Sequence, residues 1–321
     1  MTFNHHAYIE DAMNGFCMQQ TNFPFVCIIV DDASTDGEPE VIKKYFDVHF
    51  DLSESGETDD YVMTFGRHKT NENCYFAVLY LKYNHYSIKK SKEPYYVRWQ
   101  DNAKYIALCE GDDYWIAKDK LQKQVDFLEK NKEYVLVYTM NKTLNNTTGK
   151  IINSHNKTYS GELTKKLLIY GNFIPTLSVL HRNHENEFLK IYKEIPFQLK
   201  MGDKPKWIIY SQLGKIWCIE QRMVMYRVLV ESASHSKDIN KVLSFYENGK
   251  KITEYFNKLY NIGLSDKYID RFYRIIKFKV QTNQSKKTVL HEYFKLIKDY
   301  PLQIFNFKLI AIIVKRFLRT N

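Results

Sequence analysis

Glycine and proline are scarce in this chain, at 12 and 7 of 321 residues. That shortage excludes collagen-like and linker-rich architectures. The five cysteines, Cys17, Cys27, Cys74, Cys109 and Cys218, are odd in number and form no C-x-x-C pair. Cys27 and Cys109 sit inside apolar runs, so they read as buried thiols rather than disulfide partners or zinc ligands, which suits a reducing cytoplasm. There is no Gly-rich phosphate loop, no G-x-S-x-G and no H-E-x-x-H. Their absence argues against a P-loop enzyme, a Rossmann dehydrogenase, an α/β-hydrolase and a zincin. The first residues lack the apolar stretch of a secretory signal. Near the other end, the longest uninterrupted apolar run, Leu309 to Val314, is too short to span a bilayer.

What the chain does have is apolar and aromatic mass. Hydrophobic residues make up 44%, with 25 Tyr and 20 Phe, enough for a sizeable core and far from a disordered composition. Lysine and arginine number 47 against 37 acidic residues, a net charge of +10. Such a surplus points to anionic partners, namely nucleic acid, an anionic membrane or phosphorylated substrates, or serves solubility alone.

Along the sequence, Tyr8, Ile9, Ala12, Met13 and Phe16 recur at helical spacing. Phe25 to Val30 is a continuous β-branched apolar run, the pattern of a buried parallel strand. It ends in Asp31-Asp32-Ala33-Ser34-Thr35-Asp36-Gly37, after which Pro39 opens a helix. Residues from about Asp51 to Asn73 are polar and irregular and read as a loop. Further strands are expected at Phe76–Leu81, Tyr105–Cys109, Tyr134–Thr139, Thr176–Leu180, Ile216–Ile219 and Met223–Val228. Helices are expected around Leu121 to Leu128 and Trp207 to Leu213. After about Ser236 strand signals fade and helical spacing of apolar and basic residues takes over. The expected division is therefore 1–235 and a helical region 236–321, in an α/β fold with a mostly parallel sheet flanked by helices.

Two acidic clusters each follow an apolar strand directly: Asp31/Asp32, and Glu110/Asp112/Asp113 with Tyr114-Trp115 behind. Ligands of open α/β sheets bind outside the carboxyl ends of the strands. If the strands are parallel neighbours, both clusters meet at one rim, where carboxylates repel unless a cation neutralises them. Oxygen ligands and a phosphorylated substrate suit Mg²⁺ or Mn²⁺. Taken singly, an Asp after a strand is an ordinary turn or helix-capping residue.

These residues resemble the family 2 glycosyltransferases of GT-A fold, especially bacterial polysaccharide-building members. Thr2-Phe3-Asn4 is similar to the T-[YF]-N that ends the family's first strand, and Asp31 to Gly37 to its D-D-x-S-x-D-G turn. Tyr105 to Trp115 resembles its strand and D-x-D-like metal motif. Gly202-Asp203 with Trp207 resembles the acceptor-side motif, and Tyr226-Arg227 with Ser232 the segment closing the catalytic domain. The resemblance implies a nucleotide-diphosphate sugar as donor and a hydroxyl of a glycan or lipid-linked molecule as acceptor. It places Thr2, Asn4, Asp31, Asp32 and Asp112 at the donor nucleotide, with Asp32 on the base and Asp31 shaping the turn. It makes Asp113 a metal ligand and Asp203 the general base of an inverting single displacement. Asp203 is equally suited to capping the helix that holds Pro205 and Trp207. His235 is a further candidate metal ligand, or a plain loop residue.

The chain departs from the family's pattern in two ways. It starts at the T-[YF]-N, so the family's first strand is missing, and a sheet flank with unpaired backbone groups is expected. Glu110 stands where many members have Asp. The first departure supports a rival reading as an inactive paralogue that binds partners. A nucleotidyltransferase is a second rival, although its Gly-rich loop is missing. Lys308, Lys315 and Arg319 fall on one helical face in an otherwise apolar stretch. That suits peripheral contact with an anionic membrane from the cytoplasm, or packing on the catalytic domain. No nucleic-acid partner is expected.

Overall fold

A computed structural model describes residues 1–154, 158–229, 238–263, 275–280, 285–299 and 307–318. The chain divides into two compact units. The first comprises 1–162, 173–189 and 210–228; the second comprises 163–172, 190–209 and 229–321.

The first unit is mixed α/β. Helix α1 (Ile9–Cys17) turns Ile9, Ala12 and Met13 inward at helical spacing. Strand β1 (Phe25–Asp31) leads through the Asp31–Gly37 turn into α2 (Glu38–His49). Strands β2 (Phe50–Glu57), β3 (Tyr61–His68) and β4 (Cys74–Leu81) follow. Their sheet has the order β1-β4-β3-β2, with β1 and β4 parallel and the others antiparallel. The loop expected over Asp51–Asn73 is thus a hairpin. Every residue of β2 after Phe50 is exposed, so this edge strand has no apolar face for alternation to reveal.

In this sheet β1 is the edge strand. Among the described residues its outer side carries one bridge, to Thr2, at its carboxyl end. Ile29, Phe76 and Val78 pack with Ile9, Met13 and Ile42 into one core.

Helix α3 (Glu93–Gln100) precedes β5 (Tyr105–Ala107) and β6 (Tyr114–Trp115). Helix α4 (Lys120–Lys130) leads to β7 (Tyr134–Asn145), β8 (Ile151–Asn153), β9 (Leu180–Arg182) and β10 (Lys215–Val228). The second sheet runs β5-β9-β7-β10-β6, with β8 beside β7. Two runs expected as separate strands, Ile216–Ile219 and Met223–Val228, are one long strand whose register shifts between Ile219 and Val224. The strand expected over Thr176–Leu180 is mostly a 3-10 turn, with β9 starting only at Leu180.

Trp115, Leu121, Leu128, Val137 and Val224 form the core of this half. Gly15 lets α1 approach β6 closely, because a Cβ there would lie 2.8 Å from the Trp115 carbonyl oxygen. Lys120 is fully buried behind Trp115, with Nζ 4.0 Å from its ring, and donates to Gln124 Oε1 at 2.9 Å.

Helices α6 (Glu185–Tyr192) and α7 (Asp203–Leu213) lead the sequence from one unit into the other. The second unit is helical among its described residues. It holds α5 (Thr164–Tyr170), α8 (Ile239–Tyr260), α9 (275–280), α10 (Lys286–Asp299) and α11 (Phe307–Leu318). Asp238 caps α8 by accepting from Asn240 N–H at 2.9 Å. Lys279 pairs with Glu247 at 3.0 Å and Glu292 at 2.9 Å, joining α8, α9 and α10.

Candidate active site

The first acidic turn is held by an interlock with the N-terminal residues. Thr2 N–H donates to the Val30 carbonyl at 2.9 Å and Asp32 N–H to the Thr2 carbonyl at 3.0 Å. Asn4 N–H donates to Ser34 Oγ at 2.9 Å, and Thr35 N–H returns a bond to Asn4 Oδ1 at 2.9 Å. Beneath them the buried Glu38 accepts from the Thr2 hydroxyl, from His5 N–H at 2.9 Å and from Ser34 Oγ at 2.8 Å. Asn4 and Ala33 both take left-handed backbone angles, φ 57° and 58°. For Ala33 that conformation is costly, and the surrounding bonds are what impose it.

Asp31 and Asp32 diverge in their bonding. Asp31 Oδ2 accepts from Ser34 N–H at 3.3 Å, while no donor among the described residues reaches its Oδ1. Burial pushes the Asp31 carboxyl up to about 6, against the pull of Ser34. Asp32 is also buried but fully served. It accepts from His85 N–H at 2.8 Å and Tyr86 N–H at 3.1 Å, and Lys92 Nζ lies 2.7 Å away. Burial works to raise its carboxyl, yet Lys92 and the two backbone donors together hold it below the usual carboxylate value.

His85, itself wholly buried, places Nδ1 3.8 Å from Asp32 and joins its Nε2 to Tyr95 at 3.1 Å. Beyond it Tyr95, Tyr83 and Lys90 converge on Asp60. Sequence reasoning assigns none of this set. The one signal for it is the basic run Lys89–Lys92, which follows β4 at the end where the acidic turn of its parallel neighbour lies.

The second acidic turn meets the first across Thr2. Gly111 lies so close that a Cβ there would stand 2.3 Å from Thr2 Oγ1 and 2.9 Å from His5 Nδ1. Next to it Asp112 is half-buried, and its backbone carbonyl accepts from Arg227 Nε–H at 2.8 Å. Asp113 is buried, with Oδ1 accepting from Arg227 N–H at 2.6 Å. Burial, with the charge of Glu110 added, pushes its carboxyl up to about 9 despite that bond.

Arg227, which the sequence marks only as part of the segment resembling the family's closing motif, is what fixes this turn. Its Nε–H donates to the Asp112 carbonyl at 2.8 Å and its terminal nitrogen to Asp11 at 2.6 Å, while Tyr8 and Tyr114 flank the guanidinium at 4.8 and 5.1 Å.

Asp203 begins α7 in the second unit. Its Oδ1 accepts from Lys204 N–H at 2.7 Å, its Oδ2 from the Asn172 amide, and burial raises its carboxyl. The adjacent Lys204 is buried and donates to the Gly249 carbonyl of α8 at 2.9 Å. His235 lies outside the described residues.

Among the described residues no three His, Cys, Asp or Glu side chains gather so as to hold a metal ion by themselves. The oxygen donors present, the half-buried Asp112 and Asp113 with one oxygen in use, fit a hard divalent cation that completes its shell with substrate phosphates and water.

Comparison with known proteins bears on the turns just described. Residues 1–57, which hold Thr2, Asn4, β1 and the Asp31–Gly37 turn, match the family model described as Glycosyl transferase family 2. Residues 1–57 carry the signature of glycosyl transferase family 2. The mixed α/β architecture, sheets flanked by helices, is consistent with the Rossmann-like GT-A fold, although among the described strands only the β1–β4 and β7–β10 pairs are parallel and the other pairs are antiparallel. The chain is also similar to uncharacterized protein Mb1547 of Mycobacterium bovis and uncharacterized protein Rv1520 of Mycobacterium tuberculosis. Each is 26% identical over 241 residues, covering 74% of this chain and 59% of the relative. The chain therefore spans about three-fifths of the length of these relatives.

Proposed function

We propose that the protein is an inverting glycosyltransferase, moving a sugar from a nucleotide-diphosphate donor to a hydroxyl of a glycan or lipid-linked acceptor in cell-surface polysaccharide synthesis. The observation that carries this reading is the meeting of the two acidic turns across Thr2, within and beside the segment that matches family 2.

Thr2, Asn4, Asp31 and Asp32 form the seat of the donor's nucleotide, with Asp32 on the base and Asp31 shaping the turn. Asp112 sits near the ribose and diphosphate, and Asp113 would hold Mg²⁺ or Mn²⁺. When bound, that ion offsets the charge growing on the leaving diphosphate. Asp203 takes the proton of the acceptor hydroxyl as its oxygen attacks C1. The C1–O bond to the diphosphate breaks on the opposite side, which inverts the anomeric carbon. A carboxyl raised by burial is a stronger base than a solvated one. The place of action is the cytoplasm, at the inner face of the cell membrane, where a lipid-linked acceptor is met.

The test is a panel of nucleotide sugars scored for nucleoside diphosphate release with Mg²⁺ or Mn²⁺. One donor should be turned over, and Asp113→Asn should abolish that turnover. Absence of release and of binding across the whole panel would reject the reading.

A further inference from the structure

Residues 229–321 hold 18 Lys and Arg against 8 Asp and Glu, so this segment accounts for the entire +10 of the chain and residues 1–228 balance at zero. Charge gathered in this way sets up a local field for an anionic partner, whereas a surplus serving solubility alone needs no such concentration.

The described helix α11 is apolar on two sides. Leu309 and Ile313 are buried with Ile276, Val280, Val289 and Leu296. The opposite side carries Phe307, Ala311, Val314 and Leu318, spaced i, i+4, i+7 and i+11, all exposed. Phe307 is 84% and Leu318 75% exposed. Lys308 and Lys315, also exposed, stand roughly a quarter-turn from that stripe. Lys286 of α10 sits 5.7 Å from the ring of Phe317, adding a further cation at the rim.

A surface helix normally turns its apolar stripe to the core and its polar face outward. Here the outward stripe is apolar with a cationic rim. At twelve residues α11 is about 18 Å long, and no described helix is long and apolar enough to cross a membrane. The geometry points to α11 as a membrane-docking element: it lies in the headgroup layer of an anionic phospholipid bilayer, with Phe307, Val314 and Leu318 inserted and Lys308 and Lys315 on the lipid phosphates. Charge selects this occupant over a second copy of the chain, because two copies meeting at this face would bring their cationic rims together. The inference deepens the location proposed above and does not depend on the transfer chemistry.

The test uses the full chain, without sugar donor, floated with phosphatidylcholine vesicles that contain or lack phosphatidylglycerol. Binding is expected to the anionic vesicles only. Lys308→Gln and Lys315→Gln should each weaken it about fivefold, and the pair Val314→Asp with Leu318→Asp by at least tenfold. Thermal unfolding reports whether each variant is folded, and the Val314→Ser, Leu318→Ser pair replaces the aspartates should they not fold. The inference is overturned by absence of vesicle binding, by binding indifferent to the Val314 and Leu318 changes, by a dimer that Val314→Asp dissolves, or by preference for duplex DNA over vesicles. Donor hydrolysis is read on the same preparations without vesicles. Vesicle binding without turnover would reject only the transferase reading, and turnover without vesicle binding only the docking helix.

Discussion

The ammonium of Lys92 lies 2.7 Å from Oδ2 of Asp32, in a place where the carboxylate is 4% exposed and the lysine side chain 17%. With His85 and Tyr86 supplying backbone donors, both Asp32 oxygens are occupied. A nucleobase that is to meet this carboxylate must displace Lys92, whose charge then becomes available to the donor's phosphates.

Removing that lysine should leave Asp32 covered but short of a counter-charge. Lys92→Met is expected to cost about 2 kcal/mol at pH 7, the scale of one hydrogen bond to a charged group. Because the folded Asp32 value is lowered, its contribution is present above the unfolded value and lost as pH falls through the folded one. Urea unfolding should therefore separate wild type and variant at pH 7 and bring them together in strong acid.

Gly111→Ala should be disruptive out of proportion to one methyl group. The new carbon would fall 2.8 Å from Thr2 Cβ and 2.3 Å from its Oγ1, so the acidic turn must shift. We expect a loss of about 1–3 kcal/mol, read as a lower unfolding temperature, together with weaker donor binding by calorimetry.

Asp203→Asn separates a chemical role from a structural one. The amide retains an oxygen for Lys204 N–H but no longer accepts from the Asn172 amide, so stability should fall by about 1 kcal/mol, whereas the rate constant of transfer should fall about 10²–10⁴-fold. Asp203→Ala should lose both. Equal rates for Asp203→Asn and wild type would remove Asp203 from the chemistry.

Lys120 offers a pH test in the core. Burial pulls its ammonium down to about 7, well below the unfolded value. The unfolded chain then binds more protons between pH 7 and about 10, so stability rises with pH across that window. Lys120→Met should be more stable than wild type by a few kcal/mol near pH 7, at about 1.36 kcal/mol per pKa unit, and the advantage should shrink toward pH 10. Denaturant titrations at three pH values measure this.

Both acidic turns are readable because each closes a continuous apolar run, Phe25–Val30 and Tyr105–Cys109, which leaves the carboxylates conspicuous at its end, although β1 is buried only at its carboxyl end and β5 is half-buried throughout. The β2–β3 hairpin is not readable, since residues Asp51 to Glu57 are all exposed and carry no period. Lys92, His85 and the contacts of Arg227 escape for another reason. Each joins its acidic turn through contacts 53 to 114 residues apart in sequence, and local patterning holds no record of such pairings. Asp203 is conspicuous in sequence, but the same residue serves a helix start, and only its bonding to Asn172 and Lys204 shows what holds it.

Arg227 closes the second acidic turn from the far end of the first unit, through its own N–H and its guanidinium together. During synthesis, Asp113 is therefore made more than a hundred residues before the group that fixes it. Until β10 emerges and docks between β6 and β7, the turn has carboxylates but no frame, so a nascent chain can fold its first sheet without yet displaying a competent centre. Ligand-binding ability should arrive abruptly with that last strand, making it a sensitive reporter of when the domain is complete.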